Sequence, residues 1–205
     1  AFDLPNNVFD EKPEKIVNPS KYLFYEDVFT GNADFTASEG FVPYFAKNKK
    51  TLERLAKNGG RLKDIYAEYA MLCGVLEKKC GMRNRLRLAY KNEDKKELVK
   101  LAKELKAIAV LVEKFESTYL NRWLSDNKPF GLEIIQIRMG GLINRLNFCS
   151  ERVEAFAGGK IRRIEELEQE DLSPTLRGDN YTDARLFNSY EQNVSYCVMS
   201  HKFYG

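Results

Sequence analysis

Residues 98–119, LVKLAKELKAIAVLVEKFESTY, decide how the rest of the chain is read. Leu98, Leu101, Leu105, Ile108, Val112, Phe115 and Tyr119 recur at alternating steps of three and four, which places them on one side of an α-helix. Lysines and glutamates occupy the other side. A helix with one apolar face is unstable alone in water and needs neighbours of the same kind. The sequence supplies them in both directions. Upstream, a helix start at Ser38-Glu39-Gly40 leads into a thin stripe of Phe41, Phe45, Leu52 and Leu55 that ends at Gly59-Gly60. Leu62, Ile65, Tyr69, Leu72 and Leu76 mark a second helix, predicted to run on through Met82, Leu86 and Tyr90 to a break at Asn92. Downstream, a loop from Ser125 to Gly131 opens a further helix bearing Ile135, Met139, Leu142, Leu146, Cys149, Val153 and Phe156, closed by Gly158-Gly159.

Short connections between long amphipathic helices make neighbours antiparallel. The expected fold is therefore mainly α: an antiparallel up-down bundle of about four long helices over residues 38–160, with extended N- and C-terminal segments at 1–37 and 161–205. The first of these segments is rich in Pro, Asn, Asp and Gly and lacks a helical period. Within it Tyr22-Leu23-Phe24-Tyr25 reads as one short buried strand. A tail that long without its own core reads as a piece resting on something else. The C-terminal segment reads as a short acidic helix around Arg162 to Glu170, an irregular stretch with Tyr181, and a strand in NVSYCVMSHKFY (193–204).

With 33 basic and 30 acidic residues interleaved and a net charge of +3, the composition argues weakly for a nucleic-acid partner. The basic run Met82 to Arg87 reads as a solvated helix face with snorkelling arginines rather than a nucleic-acid contact. Cys73, Cys80 and Cys149 fall in apolar helical patterns, Cys197 completes no zinc-ligand spacing, and a reducing compartment is expected. No apolar run is long enough to span a membrane and no signal peptide is visible, so the expected location is cytoplasmic or cell-associated.

Catalytic constellations are hard to assemble. His201 is the only histidine, and there is neither a Walker A loop nor a G-x-G-x-x-G. No metal or cofactor is expected. Asp10-Glu11 reads as a loop doublet in solvent, and Glu165 to Glu168 as an exposed helix face. Two places carry more. In NKPFGLEIIQIRMGGL (127–142), Gly140 and Gly141 sit inside a helix next to Arg138, which lies off the apolar stripe. A glycine in a helix interior costs about 1 kcal/mol relative to alanine. What it permits is close approach, either of another helix of the bundle or of a separate domain. The second place is the pair of aromatic stretches KYLFYED (21–27) and LNRWLSDNKPF (120–130). Aromatic faces beside carboxylates and amides line sugar sites, and a tryptophan such as Trp123 also caps cores.

The strings NPSKYLFYEDVFTG (18–31), RWLSDNKPFGLEIIQIRMGGLINRL (122–146) and NSYEQNVSYCVMS (188–200) together resemble the C-terminal region of bacterial β-N-acetylhexosaminidases of glycoside hydrolase family 20, in the subgroup with a helical C-terminal domain. The likeness is most specific in W-x-x-x-N-K-P-F-G and I-R-x-G-G-L. It implies a (β/α)8 catalytic barrel that these residues do not form, and substrate-assisted, retaining hydrolysis of terminal N-acetylhexosaminides by an Asp-Glu pair. Asp10-Glu11 lacks the family's context for that pair, so the chain by itself is expected to be inactive. The family's late barrel strands end in Tyr-x-Asp, and Tyr25-Glu26-Asp27 matches that spacing. On the resemblance, Tyr25, Asp27 and Trp123 are candidate substrate contacts, and Asn127, Arg138, Gly140 and Gly141 belong to the helical domain's interface signature. The implied partners are the catalytic barrel of the same protein, the sugar substrate of the whole enzyme, and a second copy in a homodimer. Nucleic acid and membrane are not among them. The competing reading, from the residues alone, is a free-standing helical bundle whose grooves bind a partner protein.

Overall fold

A computed structural model describes residues 23–31, 41–169, 193–195 and 198–199. Ser38 to Gly40, Asp10-Glu11, Tyr22, Tyr181, Cys197 and His201 lie outside the described residues. The helices are α1 (Phe41–Asn58), α2 (Lys63–Lys79), α3 (Met82–Lys91), α4 (Lys95–Asp126), α5 (Leu132–Ala157) and the short α6 (Glu165–Glu168). A 3-10 turn, Gly60–Leu62, joins α1 to α2. Within the expected C-terminal strand, β1 (Asn193–Ser195) and β2 (Val198–Met199) pair antiparallel. The fold is helical, with the four long helices packed antiparallel as expected: α1 on α2, α2 on α4, and α4 on α5.

The middle of the molecule follows the sequence pattern closely. On α4, Leu98, Leu101, Leu105, Ile108 and Val112 are fully enclosed and Phe115 nearly so. Asp94 caps the helix by accepting the Glu97 amide at 3.0 Å, which satisfies one of the orphan N–H groups of the first turn. The matching face of α5 buries Met139, Leu142, Leu146, Cys149 and Val153. The two helices are also stitched by polar contacts: Ser150 Oγ donates to the Ala102 carbonyl at 2.7 Å, and Lys106 meets Glu154 at 2.9 Å.

Two expectations are corrected. The second helix does not run unbroken to Asn92; it stops at Cys80, and Gly81 takes a left-handed φ of 73° before α3 begins. That bend re-aims the chain so that Met82 and Leu86 reach the core from α3. The strand expected at Tyr22 to Tyr25 is, over its described residues, a helical turn at 23–25 followed by a turn at 28–30. Leu23, Phe24, Val28 and Phe29 are buried in the common core, and the Phe24 ring meets Phe115 of α4 edge-on at 5.5 Å. This part of the N-terminal segment thus rests on the bundle itself. Its carbonyls account for the geometry: Lys79 Nζ donates to Leu23 O at 2.7 Å and to Glu26 O at 2.6 Å, and Arg83 Nε donates to Phe29 O at 3.2 Å.

The basic run of α3 is engaged internally. Besides Arg83, Arg85 forks onto Glu104 at 2.7 and 3.0 Å and reaches Glu97 at 3.3 Å, while Arg87 donates to the Gln169 carbonyl at 2.7 Å. The acidic run at α6 is likewise tied down rather than simply solvated. Leu167 and the preceding Ile164 are buried, Glu165 pairs with Arg152 at 2.9 Å, and Glu168 accepts from the Tyr90 hydroxyl at 2.6 Å. Cys73, Cys80 and Cys149 are buried and not joined to one another by a disulfide; burial pushes the Cys73 thiol up to about 11 and raises Cys149 as well.

Candidate functional site

Residues 23–31 lie against α2, α3, α4 and α5, and they carry two of the residues singled out in the sequence. Asp27 Oδ1 accepts from the Phe29 amide at 2.9 Å, the Thr30 amide at 2.8 Å and the Thr30 hydroxyl at 3.1 Å, which folds the segment into a tight turn. Its Oδ2 accepts from Arg145 Nε of α5 at 2.5 Å. Burial alone would raise the Asp27 carboxyl. The bond and charge of Arg145, aided by the Thr30 and Phe29 amides, outweigh burial and hold it below the usual carboxylate range. Arg145 is raised in turn, its burial outweighed by Asp27, and its guanidinium lies 5.5 Å from the ring centres of both Phe29 and Phe148. Both Asp27 oxygens are therefore engaged within the domain.

Tyr25 is half-buried. Its ring meets Phe24 edge-on at 4.9 Å and lies 5.8 Å beneath the Arg138 guanidinium of α5. Burial raises its phenol, with Arg138 pulling the other way. Trp123, on the last turn of α4, stacks on Tyr119 at 6.0 Å, and its indole N–H donates to the Lys128 carbonyl at 2.9 Å. Asn127 closes the same helix end, its backbone N–H donating to Trp123 O at 2.8 Å and its side-chain amide to the same oxygen at 3.3 Å. A path of ring contacts runs from Trp123 through Tyr119, Phe115 and Phe24 to Tyr25. The structure brings Tyr25 and Arg138 into direct contact and joins Trp123 to them through that path.

Gly140 and Gly141 meet nothing: a Cβ built on either has no neighbour within 4 Å among the described residues. Of the two sequence alternatives, close packing against another helix of the bundle is therefore not what the pair serves there. Sequence reasoning missed the three cations that hold the N-terminal segment, Lys79, Arg83 and Arg145. A partial signal existed for one of them, since Arg145 follows Arg138 by two helical turns on the same side of α5.

Among the described residues no group of His, Cys, Asp or Glu is placed to hold a metal ion, and no helix is long and apolar enough to cross a membrane. A cleft of about 580 Å³ over α2, between α1 and α4, is lined by Lys49, Lys57, Lys78 and Lys114 around Ala70, Met71 and Gly74. Glu53 is the one carboxylate among its lining residues. Among curated proteins nothing matches the chain. Residues 1–184 match the family model described as Glycoside Hydrolase 20C C-terminal domain.

Proposed function

Because the chain belongs to the Glycoside Hydrolase 20C C-terminal domain family, we propose that it is the helical accessory domain of a β-N-acetylhexosaminidase. The whole enzyme removes terminal N-acetylhexosamine residues from glycoconjugates by substrate-assisted, retaining hydrolysis. The chemistry belongs to a catalytic barrel that these helices do not form. What the helices contribute is position. Asp27, locked by Arg145, and the Leu23, Glu26 and Phe29 carbonyls, held by Lys79 and Arg83, fix the segment that carries Tyr25. Tyr25 and Trp123 are then the residues best suited to face sugar, each an aromatic side chain left half-buried. Asp27 serves the segment's shape.

The family match carries this reading, and the clasp around residues 23–31 supports the positional role. Its test is a longer polypeptide that includes the catalytic part, assayed for release of p-nitrophenol from the β-N-acetylglucosaminide and β-N-acetylgalactosaminide. Cleavage of at least one is expected. Inactivity on both, in a folded preparation, removes the hexosaminidase reading.

A further inference from the structure

We propose that the outer face of α5 is the surface on which the catalytic part of the same hydrolase docks, an inference that rests on the accessory-domain reading above. Ile134, Ile137 and Phe148 are exposed by 56%, 72% and 46%. With Gly141 they follow one another at steps of three, four and seven, so they form a single line along the helix. That line points away from the buried Met139, Leu142, Leu146 and Cys149. Phe130, 80% exposed, stands at its foot.

The glycines give the line its meaning. Gly140 and Gly141 each weaken the helix relative to alanine, and nothing inside the described domain uses the space they leave. A backbone or ring from outside can approach α5 there more closely than at any residue bearing a Cβ. The flanks matter too. Arg138 and Arg145 border the line and reach across to Tyr25 and Asp27, so the face adjoins the N-terminal segment. In a C-terminal domain that segment is the part nearest in sequence to the catalytic part.

Size selects the occupant. A stable dimer between free copies buries about 800 Å² on each partner, more than the exposed parts of these four side chains offer. A tethered partner needs far less, because the linker holds it at a millimolar-scale effective concentration.

The experiment uses the longer polypeptide with one added cysteine, at Ile137→Cys or, as a control of similar exposure on α3, at Leu88→Cys (Leu88 is 62% exposed), and reads labelling at the added position by mass spectrometry of its peptide, apart from the native cysteines. Maleimide labelling of Ile137→Cys should be at least tenfold slower than that of Leu88→Cys, at all protein concentrations. Equal rates overturn the proposal. Slow labelling that accelerates on dilution also overturns it, in favour of a second copy. The readout is independent of substrate, so a polypeptide that cleaves no N-acetylhexosaminide yet shields position 137 would refute the activity and keep the docking face.

Discussion

Arg145 holds Asp27 through two hydrogen bonds while its guanidinium lies beside Phe29 and Phe148. Removing one partner of a buried pair strands the other, which typically costs about 3–5 kcal/mol. Arg145 is 32% exposed and the Phe29 and Thr30 amides still serve the carboxylate, so Arg145→Ala should fall below that range, at about 1–2 kcal/mol by urea denaturation. The pair also sets a pH response. A carboxyl depressed in the folded state contributes stability that is complete above its unfolded value of about 4 and is lost as pH falls through its folded value. Thermal scans from pH 7 to pH 3 should therefore show the 23–31 clasp weakening only at the acid end. Arg145→Gln removes the main influence that depresses the carboxyl and leaves burial to raise it, so the acid-end loss should shrink or reverse, the variant losing stability as pH rises through the raised value instead. At this scale the sequence was half legible. Tyr25 stood out in an aromatic stretch, and with Asp27 through the resemblance to a Tyr-x-Asp strand end, but Arg145 lies 118 positions away, and a contact that distant leaves no spacing to read.

Elements show the same division. The helices α4 and α5 were legible because each carries a regular apolar stripe, enclosed along its middle and partly buried at Tyr119, Ile135 and Phe156. The break between α2 and α3 was not, because a lone glycine inside a periodic run is compatible with a continuing helix. Packing decides it: Lys79, just before the break, and Arg83, just after it, both bind carbonyls of the same N-terminal segment. Gly81 at φ 73° has open space around it, so Gly81→Ala should cost about 1–2 kcal/mol from backbone strain alone. Gly141→Ala should do the reverse in the 205-residue chain, stabilising it by up to about 1 kcal/mol, since the helix gains and nothing is struck. Urea midpoints of the two alanine variants, moving in opposite directions, would check both.

At the scale of the whole molecule, the N-terminal segment was expected to lean on something beyond the helices, and over residues 23–31 it is instead part of the domain's own core. Phe24→Ala, which removes the ring wedged against Phe115, should cost about 3–5 kcal/mol by the same urea measurement. A near-zero change would mean the clasp is peripheral to the fold. The family match puts the domain on a glycoside hydrolase.

The shut-away thiols of Cys73 and Cys149 give the domain a built-in clock. A thiol that resists ionising while enclosed reacts with a disulfide reagent only when its surroundings part. The pace of that reaction counts native-state openings. Cys149 lies close enough to Asp27 and Arg145 to feel both charges, so loosening the clasp should quicken its modification well before that of Cys73.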